Sequence, residues 1–191
     1  MKIFFAFYLC VALAINTTTL AAAEQNLLFQ AQRAFDHGKF SDAIVRWEKI
    51  LPKLSPRQQI NVLLNLATAY QSLGMTDNSL AILKNQALPV AQKTGDKIRE
   101  SLVLAHLSDV YLLTRYLDNA KNSAQKSVAL ACASQSPLAC ATALNYCANL
   151  LSTQLKNLST EPVLFRTICG CAGVSCQAVD KYCANSICAT P

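Results

Sequence analysis

The sequence predicts an all-α protein made of antiparallel helix pairs that repeat and stack as an α-solenoid, and three observations carry that expectation. Aligned on Ser55, Asp96 and Ser136, the segments SPRQQINVLLNLATAY, DKIRESLVLAHLSDVY and SPLACATALNYCANLL bring Leu63, Leu104 and Leu144 into register. Leu66, Leu107 and Cys147 then coincide, followed by the small residues Ala67, Ser108 and Ala148, and by Tyr70, Tyr111 and Leu151. The copies start 41 residues apart (Ser55 to Asp96) and then 40 (Asp96 to Ser136). Each full copy continues into a turn and a second apolar stripe at helical spacing. A helix pair of this size cannot bury its own apolar face, so a fixed period means stacking.

The elements follow in order. Lys2, the apolar run Ile3 to Ile15, a polar stretch with Asn16 to Thr19, and Ala21 to Ala23 before Glu24 have the layout of a secretory signal peptide over 1–23. Its 13 apolar residues fall short of the roughly 20 that span a bilayer; an uncleaved anchor is the alternative. Cys10, inside the run, does not read as a lipid-attachment site. The mature chain, 24–191, is expected to be exported, periplasmic or extracellular.

The first unit, about 24–54, holds LLFQAQRAFDHGKFSDAIVRWEKIL, with Ala31 lying 36 residues upstream of its equivalent Ala67. Its N-cap would fall at Thr19, so its first helix is shortened and begins near Glu24; after Gly38 come Phe40, Ala43, Trp47 and Ile50. The second unit, 55–95, opens with Ser55 as N-cap, Pro56 behind it and Gln58 completing a capping box. Gly74 ends that helix, and Leu80, Leu83 and Ala87 line the next. The third, 96–135, opens at Asp96, turns at Arg115 and continues with Leu117, Ala120, Ala124 and Val128. The fourth, 136–158, is partial: its first helix begins at Ser136-Pro137, but LKNLSTEPVLFRTICG carries no second stripe.

These residues resemble the tetratricopeptide repeat (TPR) family. Its order of large apolar, small, aromatic, glycine turn, alanine and large apolar is matched by Ala31, Gly38, Phe40, Ala43 and Trp47. It is matched again by Leu66, Ala67, Tyr70 and Gly74, and by Leu107, Ser108, Tyr111 and Ala120. Ser79 stands where alanine is usual and Arg115 where glycine is usual. The spacing is similar to the 40-residue variant of bacterial arrays, which often precede another domain, including caspase-like (CHAT) peptidase domains. The resemblance, over about 25–155, implies a right-handed superhelix and a non-catalytic scaffold that binds a protein or peptide on its concave wall. In that register the wall is formed by Gln32, Asp36, Asn61, Thr68, Gln71, Asp109, Asn145 and Asn149, or these are only a solvated face. The family's carboxylate-binding arrangement needs Lys or Arg where Leu28, Leu64 and Ala105 stand, so capture of a C-terminal carboxylate is not implied. The small residues Ala31, Ala43, Ala67, Ser108 and Ala120 sit where paired helices cross, and overpacking there costs about 1–3 kcal/mol.

Other functions find little support. The net charge of +6 is scattered, without a basic run or basic–aromatic interleaving, against a nucleic-acid surface. No second long apolar run follows the leader, so no membrane partner is expected. The two histidines, His37 in a turn and His106 mid-helix, read as surface or packed residues, and no phosphate loop, metal pattern or nucleophile elbow is present. No catalysis, cofactor or metal is expected. All eight cysteines beyond Cys10 lie from Cys132 onward, in a C-terminal tail taken as 159–191 and just before it. An even count in an exported chain favours disulfides among Cys132, Cys140, Cys169, Cys171, Cys176, Cys183 and Cys188. Cys132 and Cys140 flank the turn ASQSPLA and form one candidate pair. Cys140 and Cys147 do not: seven residues along one helix is about 10.5 Å, and a disulfide needs Cα atoms closer than about 7 Å. They read as small core residues. The tail is a disulfide-closed cap, or the truncated or frame-shifted end of a longer array. Two alternatives to the scaffold remain, the N-terminal adaptor region of a larger enzyme such as a caspase-like peptidase, and a redox or metal-binding tail on a helical stem. An uncapped last helix would also invite self-association.

Overall fold

The computed structural model describes residues 23–154, and every regular element among them is helical. They divide into two compact units, the first ending at Leu54 and the second beginning at Ser55. The predicted signal peptide, except Ala23, and the predicted cysteine-rich tail lie outside the described residues.

In the first unit α1 spans 23–36 and α2 spans Phe40–Ile50, with a single 3-10 turn, Leu51–Lys53, behind it. Ala31 and Ala43 are fully buried, and Trp47 and Ile50 nearly so. The Phe35 ring stands 5.4 Å from Phe40 and 5.5 Å from Trp47, so one aromatic from α1 locks both ends of α2's first two turns.

The second unit contains α3 (Pro56–Ser72), α4 (Thr76–Ile82), a π turn (Leu83–Ala87), α5 (Leu88–Thr94), α6 (Lys97–Leu113), α7 (Leu117–Ala133) and α8 (Pro137–Gln154). Its three predicted N-caps sit where expected. Gln58 Oε1 accepts the backbone N–H of Ser55 at 3.1 Å, Asp96 Oδ1 accepts that of Arg99 at 3.1 Å, and Ser136 Oγ that of Ala139 at 3.3 Å. The run α4–π–α5 is the predicted second helix of its pair with one unpredicted feature. Pro89 has no N–H to donate and its ring crowds the carbonyl of Asn85, and the widened turn directly ahead of it lets the chain pass without ending the helix.

The two helices of each pair are joined by the same turn three times over. Lys39, Met75 and Tyr116 donate their N–H groups to the carbonyls of Ala34, Tyr70 and Tyr111, five residues back in each case. Gly38, Gly74 and Arg115 donate three residues back. This is the Schellman closure, and its penultimate residue must take positive φ, here 72° at Gly38, 74° at Gly74 and 65° at Arg115. Arg115 holds that conformation against its own Cβ. Arg115→Gly is therefore expected to stabilise the protein by about 0.5–1 kcal/mol, the relieved strain less the entropy glycine adds to the unfolded chain, read as a higher urea midpoint.

Packing in the second unit repeats as a triangle. The α4–α5 run packs on α3 and on α6, and α3 touches α6; one pair later, α7 packs on α6 and on α8, and α6 touches α8. Directions follow from individual bonds. Ser108 Oγ donates to Ala120 O at 2.9 Å and Ser127 Oγ to Ser101 O at 2.7 Å. Moving seven residues up α6 (Ser101 to Ser108) means moving seven down α7 (Ser127 to Ala120), so that pair is antiparallel. Arg57, on the first turn of α3, reaches the N-cap Asp96 of α6 at 3.4 Å, so these two helices start side by side. Asp96 also binds the Arg99 guanidinium at 2.6 Å. Burial alone would raise its carboxyl, but the Arg99 bonds and both positive charges outweigh this and hold it below the ordinary carboxylate value.

The predicted crossing residues Ala31, Ala43, Ala67, Ser108 and Ala120 are each at most 1% exposed. Ser79, at a position where alanine is usual in the resembled family, is also fully buried, and its hydroxyl finds no hydrogen-bond partner. The core around α7 and α8 joins Ala120, Ala124, Val128 and Ala131 to Ala139, Ala143 and Cys147. Cys132 and Cys140, one candidate pair of the sequence, form a disulfide that closes eight residues around the α7–α8 turn. In the chain-entropy account a loop of that length contributes about 2.5 kcal/mol. Cys147 is fully buried and outside that bond, as a small core residue.

Candidate functional site

The helices α3, α6 and α8 share offsets in the sequence. Counting ten from the N-caps Ser55, Asp96 and Ser136 reaches Asn65, His106 and Tyr146; counting thirteen reaches Thr68, Asp109 and Asn149. Two members of the first set meet. The Tyr146 hydroxyl lies 3.3 Å from His106 Nε2, and the rings are 5.4 Å apart. Contact between equal positions places these levels of α6 and α8 side by side. Asp109, one helical turn beyond His106, is near enough for its charge to act on the Tyr146 phenol.

This cluster is half-buried, and burial sets its electrostatics. Burial pushes the His106 imidazole below 6.5 and the Asp109 carboxyl above 3.8. The Tyr146 phenol is pushed above 10.0 by burial first and by the Asp109 charge second. At neutral pH the His–Tyr pair is thus uncharged, and one proton is shared across a hydroxyl–imidazole contact. Such a trio can accept from or donate to a bound polar group, and Asp109 offers a carboxylate to a cation. Among the described residues no group of three or more His, Cys, Asp and Glu side chains converges as metal ligands would.

The pH consequence has a definite sign. Because the folded imidazole titrates below 6.5, the unfolded chain binds more protons as the pH falls past that value, and stability falls with it. Asp109 acts oppositely and lower, since its raised carboxyl relieves an unfavourable buried charge as the pH approaches 3.8. Urea unfolding followed by circular dichroism should show the wild type losing stability between about pH 7.5 and 5.5, and His106→Gln losing distinctly less. Equal losses in both would mean that His106 is not held neutral.

Thr68 is half-buried and its hydroxyl bonds the Leu64 carbonyl at 3.0 Å; Gln71 is half-buried with an Nε2 that finds no partner. Asn61 and Asn145 are exposed, and the Asn149 side chain lies outside the described residues. In the first unit Gln32 Nε2 donates to Asp36 Oδ1 at 2.9 Å, so these two partly satisfy each other. Leu64 and Ala105, where the resembled family's carboxylate binders carry cations, are buried apolar residues. Sequence reasoning treated His106 as an isolated packed or surface side chain and missed Tyr146. The signal available was their equal offset in the repeat, which puts two polar rings side by side.

No protein-family model matches the chain, and no curated protein matches it.

Proposed function

We propose that this chain is a non-catalytic, tetratricopeptide-like scaffold, its helix pairs wound as a right-handed superhelix, that binds an extended protein or peptide segment along the row α3, α6 and α8. The observation that carries this reading is the meeting of His106 and Tyr146 at equal offsets beside Asp109. It supports a continuous inner wall with half-buried polar groups, suited to hydrogen-bonding a peptide backbone, and with Asp109 to favour a basic side chain. Asn61, Thr68, Gln71 and Asn145 extend the same wall, and Gln32 and Asp36 serve the first unit. We further propose that the chain works in an oxidising, exported compartment. The Cys132–Cys140 bond supports this, because such bonds persist where thiols are not kept reduced. Among the described residues no helix is long and apolar enough to cross a membrane.

The test is selection of binders from a displayed random-peptide library, followed by affinity measurement against variants. Asp109→Ala and Tyr146→Ala should each weaken selected peptides by about tenfold or more, as central contacts do. Lys121→Ala, exposed on α7, should leave them unchanged. Peptides that bind all three variants alike would remove the inner wall as the site.

A further inference from the structure

A second feature lies in the first unit. Gln30, Arg33, Ala34 and His37 from the end of α1, with Lys39, Asp42 and Arg46 from the start of α2, line a cavity of about 310 Å³. Gln32 and Asp36, on another face of α1, take no part in it. Three cations and one carboxylate leave this lining with a net charge of +2, His37 not counted.

Among the described residues no carboxylate forms an ion pair with Arg33, Lys39 or Arg46, although the second unit pairs Arg57, Lys97 and Arg99 in this way. Arg33 rests on the Phe29 ring, its guanidinium carbon 5.8 Å from the centroid, which leaves its N–H groups available. Arg46 reaches only the neutral Gln30 Oε1, at 3.3 Å, and its Nε is buried without any hydrogen-bond partner. A buried guanidinium N–H with no acceptor is costly, and it is the outer guanidinium nitrogens of Arg46 that a ligand in the cavity would meet. His37 Nδ1 lies 2.6 Å from the Arg33 carbonyl, which can only accept, so Nδ1 carries the proton and Nε2 is left for other contacts. Lys39 and Asp42 stand at the N-terminus of the eleven-residue α2, whose positive dipole end adds to the field.

We propose that this pocket binds a phosphate monoester as its dianion. Arg33 and Arg46 would supply forked donors to its oxygens, with Lys39 supplying a point charge. The lining charge of +2 matches a dianion, and a cavity of about 310 Å³ holds the phosphoryl group together with part of the group that carries it. The site is independent of the peptide-binding reading, and either can fail alone.

The test uses the full chain, labelled with ¹⁵N, titrated with inorganic phosphate at pH 7.5, with sodium acetate and sodium chloride at matched ionic strength as comparison arms. Phosphate is expected to shift the amides between Arg33 and Arg46 with a saturating curve, while chloride produces no saturating shift there. Arg33→Gln and Arg46→Gln should each weaken phosphate by about tenfold, the loss of one charge-assisted contact, and Lys121→Gln should not. Should Arg46→Gln lose helix by circular dichroism, Lys39→Gln, on an exposed turn residue, reads the same loss. Acetate binding as tightly as phosphate would overturn the phosphate assignment. Shifts that are linear, or unchanged by these substitutions, would overturn the site.

Discussion

Trp47→Ala is expected to strip the first unit of stable helix. Trp47 is 1% exposed and packs against Phe35, which in turn meets Phe40, so a single ring joins the core side of α2 to α1. Truncating a fully buried tryptophan costs about 3–5 kcal/mol, the lost transfer energy plus the cavity left behind. A unit of this size has little to spare, since folded proteins hold only about 0.05–0.15 kcal/mol per residue. Its other buried side chains among the described residues are small (Ala31, Ala43) or aliphatic (Ile44, Ile50, Leu54) and cannot refill the space of an indole. Native-state hydrogen exchange reads the result by residue. Amides of α1 and α2 should exchange at nearly unprotected rates in Trp47→Ala, with α7 amides as the internal reference, and Trp47→Phe should keep partial protection. Unaltered protection in α2 would mean that the aromatic cluster is not what holds these helices.

The features legible in the sequence were those set within a few residues. Ser55, Asp96 and Ser136 could be read as caps because an N-cap is a bond three residues long, and Gly38 and Gly74 as turns because positive φ selects glycine. The Cys132–Cys140 pair was among the readable candidates because a short turn brings its ends together. The π turn escaped, although Pro89 was in plain view, because a proline inside an apolar stripe can end, kink or widen a helix, and local pattern does not choose among them. The polar cluster escaped for a different reason. His106 and Tyr146 are separated by forty residues, and only equal offsets in two weakly similar copies hinted that they touch. The cationic pocket was hidden by its own spacing. Arg33, Lys39 and Arg46 are six and then seven residues apart, which reads as scattered charge until Gly38 folds one helix back along the other.

Ser108→Leu should show whether small residues are required where α6 crosses α7. Ser108 is 1% exposed, and its hydroxyl reaches the backbone carbonyl of Ala120 at 2.9 Å, so the two backbones are separated there by little more than one side-chain atom. The Ser127 bond to the Ser101 carbonyl, 2.7 Å, sets the same closeness two turns away. Together they fix both distance and register, so the pair cannot slide to make room. A leucine at position 108 must push the helices apart or adopt a strained rotamer, and the disturbance carries into Ala120 and Ala124, which pack in the core shared with α8. The expected loss is about 3 kcal/mol, the top of the usual overpacking range, because close packing leaves no void to absorb it. Ser108→Ala removes the hydroxyl without adding volume and should cost only about 1 kcal/mol, the net worth of one hydrogen bond. Ala120 O stays within its helix and is not left wholly unsatisfied. The difference between the two variants, read from urea midpoints at constant slope, isolates the steric term from the polar one. If leucine cost no more than alanine, closeness at this crossing would not be what selects small residues, and the alignment of Ala67 with Ser108 would lose its physical meaning.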